Sequence, residues 1–174
     1  ADYPLSIEAD GALAFVAREP SFDGTLNLSR PVGIVERNAA EPADALTQPW
    51  RIGGKIKASG KSALMDNLEF QYGSEEQGFK LTGVADLKFG RNPRFQGVLS
   101  GRQIDVDRVV SGSGAATQSP VAAIRKLTEL GTAAFRTTLP VQLGLGIDLV
   151  TLGGNSIQNL RGDISSSAEG WNLE

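Results

Sequence analysis

The stretch that most restricts the fold is Phe79 to Arg102, FKLTGVADLKFGRNPRFQGVLSGR. In its first half Phe79, Leu81, Gly83, Ala85, Leu87 and Phe89 fall on one face, and Lys80, Thr82, Asp86 and Lys88 on the other, with Val84 as an apolar intruder. A period of two is what a strand with one buried and one wet face requires, and a helix cannot satisfy it. Gly90-Arg91-Asn92-Pro93 breaks the run, because Pro lacks a donor and Asn-Pro favours a turn. The chain resumes with Phe95, Gly97, Leu99 and Gly101 on one face and Arg94, Gln96, Ser100 and Arg102 largely opposite. The segment reads as a hairpin with an apolar side and a charged side.

The hairpin recurs upstream. Pro20-Ser21-Phe22-Asp23-Gly24-Thr25-Leu26 matches Pro93-Arg94-Phe95-Gln96-Gly97-Val98-Leu99 as P-x-F-x-G-x-L. The preceding strand, Leu5, Ile7, Ala9, Gly11, Leu13 and Phe15, matches Phe79, Leu81, Gly83, Ala85, Leu87 and Phe89 with one residue of slip. Residues 5–28 and 79–101 therefore read as an internal strand-turn-strand repeat, which points to an extended repetitive sheet. Trp50 to Ala58 and Ser62 to Phe70 add two more strands, so Trp50 to Arg102 reads as a meander joined by short turns.

Ser29 to Gln48 is irregular, with a possible strand at 33–36 and a turn of helix at 43–46. Ser111-Gly112-Ser113-Gly114 reads as a joint. Ser119-Pro120 then offers an N-cap and a proline at the first helical position, and Val121, Ile124, Leu127 and Leu130 follow at helical spacing, so a helix is expected near 120–135. Val141 to Leu149 alternates again, Gly153-Gly154 is a turn, and 157–165 and 171–173 read as strands. The expected fold is mainly β: an antiparallel meander forming a long curved sheet or open β-groove, with that one helix. The 174 residues read as one β-rich segment cut from a longer protein.

Composition excludes several functions. The net charge is −3 with no basic stripe, which argues against nucleic acid. There is no cysteine and no histidine, so disulfides, the commonest general base and the commonest metal ligand are all missing. No apolar run approaches the roughly 18 residues of a membrane-spanning helix.

Short motifs that suggest chemistry are weak. Gly60-Lys61-Ser62 resembles the end of a phosphate loop, but the required earlier glycine is displaced and a strand, not a helix, follows. Gly144-Leu145-Gly146 lacks the third glycine of a dinucleotide site. Asp105-Val106-Asp107 could hold a cation but reads more simply as a solvated face. Glu75-Glu76 reads as exposed turn charge. Ser165, Ser166 and Ser167 have no base to activate them. No catalytic, cofactor-binding or metal residue is assigned.

The segments Met65 to Gly73, Phe79 to Leu87, Pro93 to Leu99, Gln103 to Val109, Leu149 to Gly154 and Gly170 to Leu173 resemble the C-terminal region of the AsmA family of bacterial envelope proteins, as does Glu19 to Leu28. The resemblance implies a β-rich periplasmic body, an inner-membrane anchor outside this chain, a part in outer-membrane homeostasis and no enzymatic activity. Larger relatives are similar to bridge-like carriers that conduct phospholipid along a β-groove.

The leading expectation is thus an apolar sheet face that binds or conducts phospholipid acyl chains, lined by Leu5, Ile7, Leu13, Phe15, Leu81, Ala85, Leu87, Phe89, Phe95 and Leu99. The alternative is an envelope assembly scaffold whose stripe is dry core and whose sheet edges bind other proteins. A carbohydrate-binding β-domain is a third reading, with only Trp50, Trp171, Tyr3 and Tyr72 as aromatic platforms.

Overall fold

A computed structural model describes residues 5–16, 18–30, 49–73, 78–111, 139–167 and 170–173. Nine strands form one open sheet in strict chain order: β1 (Ser6–Val16), β2 (Glu19–Arg30), β3 (Trp50–Ser59), β4 (Ser62–Tyr72), β5 (Phe79–Lys88), β6 (Arg94–Asp105), β7 (Val141–Leu152), β8 (Asn155–Ser167) and β9 (Gly170–Leu173). One short helix, α1 (Val106–Ser111), follows β6. The helix expected near 120–135, the strand at 33–36 and the helical turn at 43–46 lie outside the described residues.

The sheet is mainly antiparallel, with one departure from a pure meander: β6 and β7 pair in parallel, Phe95 opposite Val141 through Asp105 opposite Thr151. A parallel neighbour needs a crossover connection, and the chain between α1 and β7 supplies the length for one. Alternation within Val141–Leu149 is the same for either direction, so the sequence pattern does not distinguish them.

The two repeated hairpins pair their matching residues in the same register. Leu13 faces Phe22 as Leu87 faces Phe95; Gly11 faces Gly24 as Ala85 faces Gly97; Ala9 faces Leu26 as Gly83 faces Leu99. The one-residue slip between the sequence copies is taken up in the turns.

The alternation of each strand sums to a two-faced sheet. Ile7, Leu28, Ile52, Phe70, Leu81 and Leu99 lie on one face. Asn27, Arg51, Glu69, Lys80 and Ser100 lie on the other. Strand β4 keeps this order only by changing parity. Met65 pairs with Ala85 and Leu68 with Gly83, so the strand carries one extra residue between them. Asn67 sits there with φ 50°, a left-handed conformation that Asn tolerates better than most residues. Gly54 lies across from this bulge; a Cβ there would be 3.0 Å from Met65 Cγ and 3.2 Å from Leu68 Cα. The bulge thus puts Ala63 and Met65 on the same face as Leu68, Phe70 and Tyr72.

A second parity change spans three strands. The pair Arg102–Asp148 and the pair Asp148–Asn159 are missing from otherwise regular ladders, and Asn159 has φ 54°. Beyond this step the buried residues are Ile104 and Val150, which join Leu81, Val106 and Ile147 in one cluster. Phe70, Phe79, Leu99, Leu145 and Leu152 pack against it. The core therefore sits at the β5–β7 end, under Val106 of α1. Among the described residues no side chain is fully buried.

Candidate functional site

The candidate site is the apolar face, and the structure divides it in two. At the β5–β7 end Leu81 is 6% exposed and Ala85 7%. Leu87, Phe95 and Leu99 are half-buried beside them. At the β1 end Leu5, Ile7, Leu13 and Phe15 are open to solvent, Phe15 at 73%. Phe89 follows β5, with its amide donating to the Lys61 carbonyl at 2.9 Å, and is also exposed. Eight of the ten residues expected to line a groove lie in the sheet, with Leu5 just before β1 and Phe89 just after β5, but Leu81 and Ala85 are shielded by their neighbours and the β1 set is not.

The glycines shape this face. Gly11 and Gly24 oppose each other, and the ring of Phe22 lies over both: a Cβ at Gly24 would be 2.8 Å from Phe22 Cζ. At Gly101 a Cβ would meet Leu81 Cδ2 at 2.7 Å. Large side chains thus lie down across glycines and cover backbone that would otherwise be wet. Further along the face Tyr72 stacks on Phe79 at 5.6 Å and Phe70 meets Phe79 edge-on at 5.9 Å.

The opposite face is polar and cross-linked by exposed ion pairs, Lys57–Asp23, Lys61–Glu19 and Lys80–Glu69. It has one apolar interruption that the sequence reading registers only as Val84. Leu64, Val84 and Val98 line an open depression of about 540 Å³ together with Gln96, Gln142 and Asp163. Val98 is 60% exposed. Gln96 Nε2 donates to Gln142 Oε1 at 2.6 Å across the parallel pair.

The short motifs resolve into structural roles. Gly60-Lys61-Ser62 is the β3–β4 hairpin turn, where Ser59 Oγ accepts from the amides of Lys61 and Ser62, both at 3.2 Å. Gly144 and Gly146 lie inside β7 with no helix after them. Ser166 is buried opposite Val141. Glu75 and Glu76 lie outside the described residues. Asp105 caps α1, accepting the Arg108 amide at 3.0 Å. Asp107 accepts the amides of Gly153 and Gly154 at 2.7 and 2.8 Å. Its carboxylate therefore clamps the β7–β8 turn, where both glycines have positive φ as a tight hairpin requires. Among the described residues no group of acidic side chains is placed to hold a metal ion, and no helix is long and apolar enough to cross a membrane.

No protein-family model matches the chain, and no curated protein or solved structure matches it.

Proposed function

We propose that this chain is part of a non-enzymatic cell-envelope protein, periplasmic and anchored through a segment outside it, whose apolar sheet face holds phospholipid acyl chains. The observation that carries the reading is the continuity of that face. Apolar side chains follow one another from Ile7 on β1 to Leu160 on β8, and the parity changes at Asn67 and at Asp148 preserve the row. Beyond ladder neighbours, the one substantial contact between elements among the described residues is α1 on β7. Seven inter-strand spacings of about 4.8 Å give the row a length of roughly 34 Å along the sheet, and its open part lies toward β1, since Leu81 and Ile147 are buried. Each buried methylene contributes about 0.8 kcal/mol, so an acyl chain needs no polar anchor there.

The test is photocrosslinking in cells, with a photoreactive residue placed singly at Leu13, Phe15, Ala12 and Ala14, followed by mass spectrometry of the adducts. Phospholipid at Leu13 and Phe15 and none at Ala12 and Ala14 is the expected result. Absence of lipid at all four positions would remove the reading. The burial of Leu81 and Ala85 favours a second reading for the other end of the sheet. There the stripe is dry core, and the chain is an assembly scaffold that meets other envelope proteins through its sheet edges.

A further inference from the structure

The β1–β2, β3–β4 and β5–β6 turns stand side by side at one end of the sheet. Contacts lace them together: Lys61, in the second turn, pairs with Glu19 beside the first, and its carbonyl accepts the amide of Phe89 in the third at 2.9 Å. The chain carries a net charge of −3, yet this end is basic. Among the described residues, the turns and the strand residues that border them hold Arg18, Lys61, Lys88, Arg91 and Arg94, with Glu19 as the one carboxylate.

Glu19 answers Lys61, and among the described residues none of the other four cations has an ion-pair partner. Lys88 and Arg94 also stand directly opposite each other across β5 and β6. Like charges so placed destabilise a sheet, and an anion shared between them would relieve the cost. Two exposed rings accompany the cations: Phe89 lies in the same turn as Arg91, and Phe15 stands at the end of the apolar row of β1. A soluble anion would satisfy the charges and leave both rings wet. A bilayer with anionic headgroups meets both needs, with phosphates at the level of the cations and the acyl boundary just below for the rings.

We infer that the hairpin-turn end of the sheet docks on an anionic lipid bilayer, with Arg18, Lys88, Arg91 and Arg94 on headgroup phosphates and Phe15 and Phe89 inserted between them. Strands added at either side of the sheet would lengthen this row of turns and leave it uncovered. Docking needs no acyl chain on the sheet face, so an absence of lipid adducts at Leu13 leaves it standing.

The test is co-sedimentation of the full chain with vesicles of phosphatidylcholine alone or mixed with phosphatidylglycerol. Binding is expected with the mixed vesicles only, and should weaken as salt is raised. Arg91→Gln and Arg94→Gln should each lower the affinity about fivefold, the effect of one cation at a charged membrane surface. Arg51→Gln and Lys55→Gln, on the polar face and farther from the turns than the Debye length of about 8 Å, should change it less than about twofold. The chain has no native cysteine, so an environment-sensitive fluorophore is attached singly to Phe89→Cys and to Thr82→Cys. Its emission should move to the blue on mixed vesicles at position 89 and stay unchanged at position 82. No binding to mixed vesicles, an equal loss with Arg51→Gln, or the same emission shift at both positions would overturn the inference. Equally tight binding to soluble polyglutamate would overturn it as well, by assigning the cations to an acidic polypeptide.

Discussion

The carboxylate of Asp107 accepts the amide hydrogen of Gly153 at 2.7 Å, joining the helix after β6 to a turn 46 residues further on. A second bond, from Gly154, makes the contact bidentate. Hydrogen bonds to a charged group contribute about 1.5–3 kcal/mol each. We expect Asp107→Ala to destabilise the chain by about 2–3 kcal/mol in urea unfolding, and Asp107→Asn by less, since one acceptor oxygen remains. Amide exchange at Gly153 and Gly154 should quicken in both.

Leu81 and Leu13 lie on the same apolar face, one in each copy of the repeat, but differ in burial, at 6% and 68% exposed. Leu81→Ala opens a cavity in the cluster with Ile147 and Val150 and should cost about 2–5 kcal/mol. Leu13→Ala should stay within about 0.5 kcal/mol. Paired urea midpoints decide this; equal costs would mean that the β1 end is covered as well as the β5 end.

Asn67 gives the third test. Its left-handed backbone should accept Gly with little change, whereas Val should cost about 1–3 kcal/mol. Deleting the residue is the stronger experiment. Deletion removes the extra residue, so Met65 stays opposite Ala85 and Leu68 opposite Gly83, Glu69 and Gln71 keep to the polar face, and cooperative unfolding should survive.

Two glycines separate close approach from simple permissiveness. At Gly24 an added Cβ would lie 2.7 Å from Gly11 Cα, so Gly24→Ala should force β1 off β2 and expose β1 to protease. At Gly146 a Cβ meets nothing within 4 Å, and Gly146→Ala should stabilise by up to about 0.5–1 kcal/mol.

Much of this architecture can be read from residue order, because a period of two reports both the strand and its faces. The apolar rows of β1, β2, β5 and β6 and the recurrence of their hairpin are legible in that way. The bulge is legible in principle: Met65, Leu68 and Phe70 are spaced three and then two, a break in alternation that treating Ser62–Phe70 as one regular strand passes over. Other features are not local. The direction of β7 relative to β6 depends on where a long connection lands. Asp105-Val106-Asp107 carries its cap in sequence, but nothing near it announces Gly153 as the partner of Asp107. The apolar patch of Leu64, Val84 and Val98 needs three strands laid side by side before it exists.

The single parallel seam also orders events in time. Adjacent strands elsewhere in the sheet are mostly near neighbours in the chain, and such contacts close quickly and at small entropic cost. The β6–β7 seam must wait for a long connection to return, so β4–β6 and the β7–β8 hairpin can each take shape before they meet. The Asp107 clamp ties the β7–β8 turn to α1 at the far end of the seam from the Phe95–Pro140 bond, so the seam is held at both ends.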